Sequence, residues 1–80
     1  MEEVAYDALL IDAAELTVSR GEISTSLLQR SFSIGYNRAA KLIDTMYELG
    51  IIDEANGAKA RKALISREEW EKLKGILENE

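Results

Sequence analysis

The sequence predicts a mostly α fold with one small β-hairpin: a winged helix-turn-helix carrying an additional C-terminal helix. Three observations lead there. Two short amphipathic stretches meet at a tight, glycine-containing turn near residues 32–35, as the helices of a helix-turn-helix do. Just beyond, β-branched and apolar residues flank Asn56-Gly57, a strong short-range hairpin signal. Ser66-Arg67-Glu68-Glu69 then has the form of a capping box and opens one more helix.

With no proline in the chain, element boundaries rest on glycine, short polar side chains and changes of period. The first helix is expected over about residues 3–19, where Tyr6, Leu9, Leu10, Ala13 and Leu16 recur at helical spacing and Gly21 supplies a left-handed stop. A short extended stretch follows at Glu22 and Ile23. Ser24 is a natural N-cap for a second helix over about 25–31, which turns Leu27 and Leu28 inward. The third helix, about 36–49, ends at Gly50. Projection at 100° per residue puts Tyr36, Ala39, Ala40, Ile43, Met46 and Tyr47 on its core side. Asn37, Arg38, Lys41, Asp44, Thr45 and Glu48 fall on the opposite, wholly polar side.

The hairpin, or wing, is expected over about 51–65, which makes residues 1–65 the winged-helix domain and 66–80 the added helix. That helix carries Trp70, Leu73 and Leu77 as a stripe. The first helix carries a matching second stripe, Val4, Ile11 and Val18, away from its main apolar side. Docking of the two stripes within one chain is the expectation, and a homodimer joined through the same stripes is its rival.

Composition narrows the chemistry. Eighty residues make one small domain, too short for a second core or a nucleotide-driven motor. At 46% hydrophobic the chain has enough apolar material to fold, which argues against disorder. The absence of Cys and His removes disulfides, thiol and histidine catalysis, and ordinary zinc or haem sites. The carboxylate pairs Glu2-Glu3, Asp53-Glu54 and Glu68-Glu69 sit near element ends, with nothing to gather them into a catalytic or metal site. No phosphate-binding loop or nucleophile elbow occurs. We therefore expect neither enzyme activity, cofactor nor metal. The longest apolar run, Ala8 to Ile11, is far below the roughly 20 residues of a membrane span, so a cytoplasmic domain without membrane contact is expected.

The net charge of −5 has the wrong sign for broad wrapping by nucleic acid. Its distribution matters more. Residues 1–19 carry −5, 20–41 carry +3, 42–58 carry −4, 59–67 carry +4 and 68–80 carry −3. The two positive segments are the helix-turn-helix and the returning arm of the wing, which lie on one face of a winged helix. On the third helix, Asn37, Arg38 and Lys41 suit adenine edges, guanine O6 and N7, and phosphates respectively. Lys59, Arg61 and Lys62 make the arm basic. A solvated surface helix carries a similar mixed face, so periodicity leaves a binding module and a bland surface both open.

Residues 24–44, STSLLQRSFSIGYNRAAKLID, closely resemble the γ domain of the FtsK/SpoIIIE DNA translocases, whose hallmark reads S-x-S-x-x-Q-R-R-x-x-I-G-Y-N-R-A-A-R-[LM]-I. Agreement is unbroken from Ile34 through Gly35-Tyr36-Asn37-Arg38-Ala39 to Ala40. It continues at lower identity through Tyr6-Asp7 upstream and through Gly50-Ile51 and Arg61-x-x-Leu64 downstream. The resemblance implies a winged helix that recognises short, G-rich, strand-asymmetric double-stranded DNA. It also implies a role in orienting a hexameric motor on the chromosome and, in some members, contact with a tyrosine recombinase. Carried over by position, Asn37 and Arg38 match base-reading residues, Arg30 a backbone-facing basic residue and Arg61 the wing arginine. Gly35 and Tyr36 read as structural. Lys41 stands where the family usually has Arg, and Ser31 and Ser33 where it usually has Arg or Lys. The C-terminal helix is a further departure.

The expected DNA-binding set is therefore Arg30, Asn37, Arg38, Lys41, Lys59 and Arg61. The alternative is a non-catalytic protein-interaction or regulatory winged helix with weak DNA binding or none.

Overall fold

A computed structural model describes residues 6–55, 57 and 59–79 of the chain. Val4, Asn56 and the first residues expected in the opening helix lie outside them. Among the described residues, four helices and two short strands follow in the order α1 (Leu10–Arg20), β1 (Glu22–Ile23), α2 (Thr25–Phe32), α3 (Tyr36–Glu48), β2 (Arg61–Lys62) and α4 (Arg67–Glu78). This is a small winged-helix arrangement with one added helix.

Helix α1 begins at Leu10, later than its periodicity suggests. The cause is Asp7, whose Oδ1 accepts the Leu9 N–H at 2.8 Å while its carbonyl accepts the Leu10 N–H at 2.9 Å. An aspartate that satisfies nearby backbone donors offers the chain a turn in place of another helical turn. Tyr6 consequently stands outside the helix, 38% exposed, and not in the core. The helix ends as expected on Gly21, at φ 85°, where a side chain would be strained.

Ser24 caps α2, its Oγ accepting the Leu27 N–H at 3.1 Å. The turn to α3 passes through Ser33 at φ 53°, a left-handed position held by a residue other than glycine. Gly35 then caps α3 in an extended conformation.

The core comprises Leu10, Ala13, Ala14, Ile23, Leu28, Ala39, Leu42, Ile43, Met46, Ile51, Ile52 and Trp70. On α3 the buried arc is Ala39, Leu42, Ile43 and Met46, rotated from the expected one. Leu42 enters it, while Tyr36 and Tyr47 are 64% and 47% exposed at its rims. Thr17, buried among these side chains, donates its hydroxyl to the Ala13 carbonyl at 2.8 Å.

The wing is paired on both sides. Ile52 bridges Ala63, and the Asp53 N–H donates to the Lys62 carbonyl at 3.0 Å, closing the hairpin. Its returning strand β2 also pairs antiparallel with β1, Glu22 opposite Lys62 and Ile23 opposite Arg61. The stretch before α2 is thus an integral strand that anchors the wing to the helices.

Helix α4 docks on α1 within the same chain. Trp70 is fully buried, and Ile11, Val18, Leu73 and Leu77 pack half-buried against the core. The Ser66 hydroxyl accepts the Glu69 N–H at 3.1 Å while Glu69 Oε1 accepts the Ser66 N–H at 2.8 Å, completing the capping box. Among the described residues no helix is long and apolar enough to cross a membrane.

Candidate nucleic-acid interface

The exposed side of α3 is built by its own amphipathicity. Burial of Ala39, Leu42, Ile43 and Met46 leaves Asn37, Arg38, Lys41, Asp44 and Glu48 in solvent. Because Gly35 starts the helix, Asn37 and Arg38 fall in its first turn and Lys41 in its second. The acidic residues lie further along.

The wing's basic residues approach the start of α2. A cleft of about 270 Å³ lies between them, lined by Ser24, Thr25 and Ser26 around the start of α2, by Tyr36 and Ile43 of α3, and by Gly57, Lys59 and Arg61 of the wing. Its chemistry is polar and basic. Arg61 is fixed there twice, by the β1–β2 ladder and by its guanidinium, which lies over the Tyr47 ring at 5.8 Å from the centroid. Lys62 is exposed beside it, opposite Glu22 across the ladder.

The six expected residues therefore separate into three groups. Lys59 and Arg61 share the cleft, Asn37, Arg38 and Lys41 share the exposed side of α3, and Arg30 stands exposed at the end of α2, away from the cleft lining. Helix C-terminal position suits Arg30's charge whatever its partner. Tyr36, which reads as structural in the sequence, is instead mostly exposed and lines the cleft.

Arg38 is not a free cation. Its Nε donates to Asp7 Oδ2 at 2.9 Å and its Nη2 to Oδ1 at 2.8 Å, a two-bond pairing across 31 residues of sequence. The Arg38 hydrogen bond and the Leu9 N–H lower the Asp7 carboxyl from its ordinary range to about 2. Lys41 borders the same place, a shallow depression formed with Tyr6, Asp7, Asp44 and Thr45. No short-range sequence signal joins Asp7 to Arg38. Only the chemistry of a guanidinium seeking a carboxylate would suggest it.

A second charged cluster belongs to the fold. Glu15 of α1 accepts the Trp70 indole N–H at 3.0 Å and a hydrogen bond from Arg67, with Lys74 at 3.7 Å. Arg67 also donates to Ser19 Oγ at 2.8 Å. The indole bond first, and then Arg67, hold the Glu15 carboxyl below its ordinary range.

Residues 4–66 match the family model described as the Ftsk gamma domain. The DNA translocase FtsK of Clostridium tetani (strain Massachusetts / E88) is 49% identical over 63 residues, 79% of this chain and 8% of the relative. The DNA translocase SpoIIIE of Bacillus subtilis (strain 168) is 46% identical over 67 residues, 84% of this chain and 8% of the relative. The DNA translocase SftA of the same organism is 53% identical over 60 residues, 75% of this chain and 6% of the relative. The chain thus spans less than a tenth of the length of each of these relatives.

Proposed function

The chain belongs to the FtsK gamma domain family, and from that premise we propose that it is a non-catalytic module that binds double-stranded DNA and prefers short, G-rich, strand-asymmetric sites. Its service is to a DNA translocase, which it would orient on its track. In this reading α3 enters the major groove, where Asn37 reads adenine and Arg38 guanine, while Lys41 meets phosphate. Lys59 and Arg61 hold the adjoining backbone from the wing, and Arg30 adds a backbone contact.

The observation that carries the proposal is the exposure of Asn37, Arg38 and Lys41 along one side of α3, the helix whose first residue, Tyr36, lines the cleft together with the basic wing residues Lys59 and Arg61. Phosphate binding needs local positive potential, not net charge, and each neutralised phosphate adds about 0.9 to the salt slope on duplex DNA. Ser31 and Ser33 in place of basic residues make that slope shallower than in relatives with Arg or Lys there.

Titration of a labelled duplex with guanine runs on one strand, against its scramble at two salt concentrations, tests this reading. Preference for the guanine-rich duplex with salt-weakened affinity is expected. Equal, negligible binding to both would refute it.

A second reading is favoured by one patch. Tyr47 and Leu64 are exposed beside Gly50 and Ile52, with Glu48, Asp53 and Glu54 around them. Such a surface suits a basic protein partner, and a domain acting only through it would show neither guanine preference nor salt dependence on DNA.

A further inference from the structure

We infer that Asp7 is a positioning residue for base reading, setting the domain's preference for guanine through its two-bond hold on Arg38. The inference rests on the DNA-binding reading above and adds to it a residue outside the helix-turn-helix and the wing.

The geometry is directional. A guanidinium offers five N–H donors, and Asp7 takes one at Nε and one at Nη2. Three remain, including one on each terminal nitrogen along the outer edge of the fork. That edge presents two parallel donors and can meet guanine O6 and N7 together. The Arg38 side chain is half-exposed, and among the described residues its only hydrogen bonds are the two to Asp7. Asp7 therefore uses the inner edge of the fork and leaves the outer edge for a base.

Asp7 is itself held. Oδ1 accepts from the Leu9 N–H as well as from Arg38, and the Asp7 carbonyl accepts the Leu10 N–H, so the carboxylate is fixed to the turn that starts α1. That helix in turn packs against α3. The arginine is thus braced by two elements, and less rotamer freedom remains to be lost when it docks on a base. A carboxylate close to DNA also repels phosphates. The two effects have opposite signs on different duplexes, which makes them separable: bracing improves only the guanine-rich site, while repulsion weakens every duplex alike.

The experiment is an anisotropy titration of the wild-type chain, Asp7→Asn, Arg38→Ala and the double variant. Each is measured against the guanine-rich duplex and its scramble, with a thermal melt of every variant. Asp7→Asn should lower affinity for the guanine-rich duplex about tenfold and leave scramble affinity equal or higher. In the Arg38→Ala background the same change should leave the preference unaltered. Asp7→Glu, which keeps the charge and displaces the carboxylate by one methylene, should lower the preference with scramble affinity unchanged, and it serves should Asp7→Asn fail to fold. Equal strengthening on both duplexes would reduce Asp7 to a repulsive charge. A loss of preference that persists without Arg38 would show that Asp7 acts by another route. Both outcomes overturn the inference. A wild-type chain without guanine preference would sink the DNA-reading proposal and this inference together, whereas a wild-type preference retained in Asp7→Asn would sink this inference alone.

Discussion

The Trp70 indole N–H donates to Glu15 Oε1 at 3.0 Å, joining the added helix α4 to α1 at the point where the ring is fully buried. Apolar burial and a satisfied polar tip act at one residue. Truncation to Trp70→Ala removes the largest side chain of the core and leaves a cavity between α1 and α4, so a loss of about 3–5 kcal/mol is expected. The variant has no tryptophan, and unfolding should be followed by circular dichroism in urea. A loss below about 1 kcal/mol would mean that α4 is not structurally coupled to the domain.

Acid should loosen both carboxylate anchors. Asp7 and Glu15 have folded-state values lowered below their ordinary ones, so each stabilises the fold above the unfolded pKa of about 4 and ceases to do so as pH falls through its folded value. For Asp7 that window lies between about 4 and about 2. Melting temperature should therefore fall across this range, and Asp7→Asn should flatten part of the fall. A wild-type profile that stays level down to pH 2 would contradict the anchoring role given to these pairs.

Asn37→Ala and Arg38→Ala should each weaken binding to the guanine-rich duplex by about 1–3 kcal/mol and relax discrimination at one base. Arg38→Ala also removes the partner of Asp7, leaving that carboxylate to solvent, so its melting temperature belongs beside its affinity. Equal losses on specific and scrambled duplexes would show that α3 does not read bases.

How much of this was legible depends on the range of the signal. Ser24 and Ser66 act on donors within a turn of themselves, and their caps correctly mark where α2 and α4 begin, while the glycine-containing turn at 32–35 marks the start of α3. The matching stripes of α1 and α4 are likewise written in local periodicity. The start of α1 is not, because Asp7 looks like part of an acidic helix until its turn and its partner Arg38 are seen. Tyr36 and Tyr47 mislead for a related reason: an aromatic at the rim of an apolar arc can cover a cleft or support Arg61 as readily as enter the core. The ladder between Glu22–Ile23 and Arg61–Lys62 joins segments nearly forty residues apart, beyond any window in which period alone speaks.

The wing gives the last prediction. Lys59 and Arg61 line the cleft together with Thr25 and Ser26 at the start of α2. Hairpin charges of this kind meet phosphates more than bases, so Lys59→Ala combined with Arg61→Ala should lower affinity almost uniformly across sequences. Two lost phosphate contacts should also make the salt slope shallower by about 1.8. Arg61 has a second duty, since its guanidinium covers Tyr47 and its backbone pairs with Ile23. The ladder is a main-chain interaction and survives the substitution, but the cover on Tyr47 does not. Arg61→Lys with Lys59→Ala separates the two: it keeps one charge on the arm and should recover about half of the slope. A double alanine variant that melts like the wild type yet shows an unchanged slope would mean that the wing does not touch the DNA backbone.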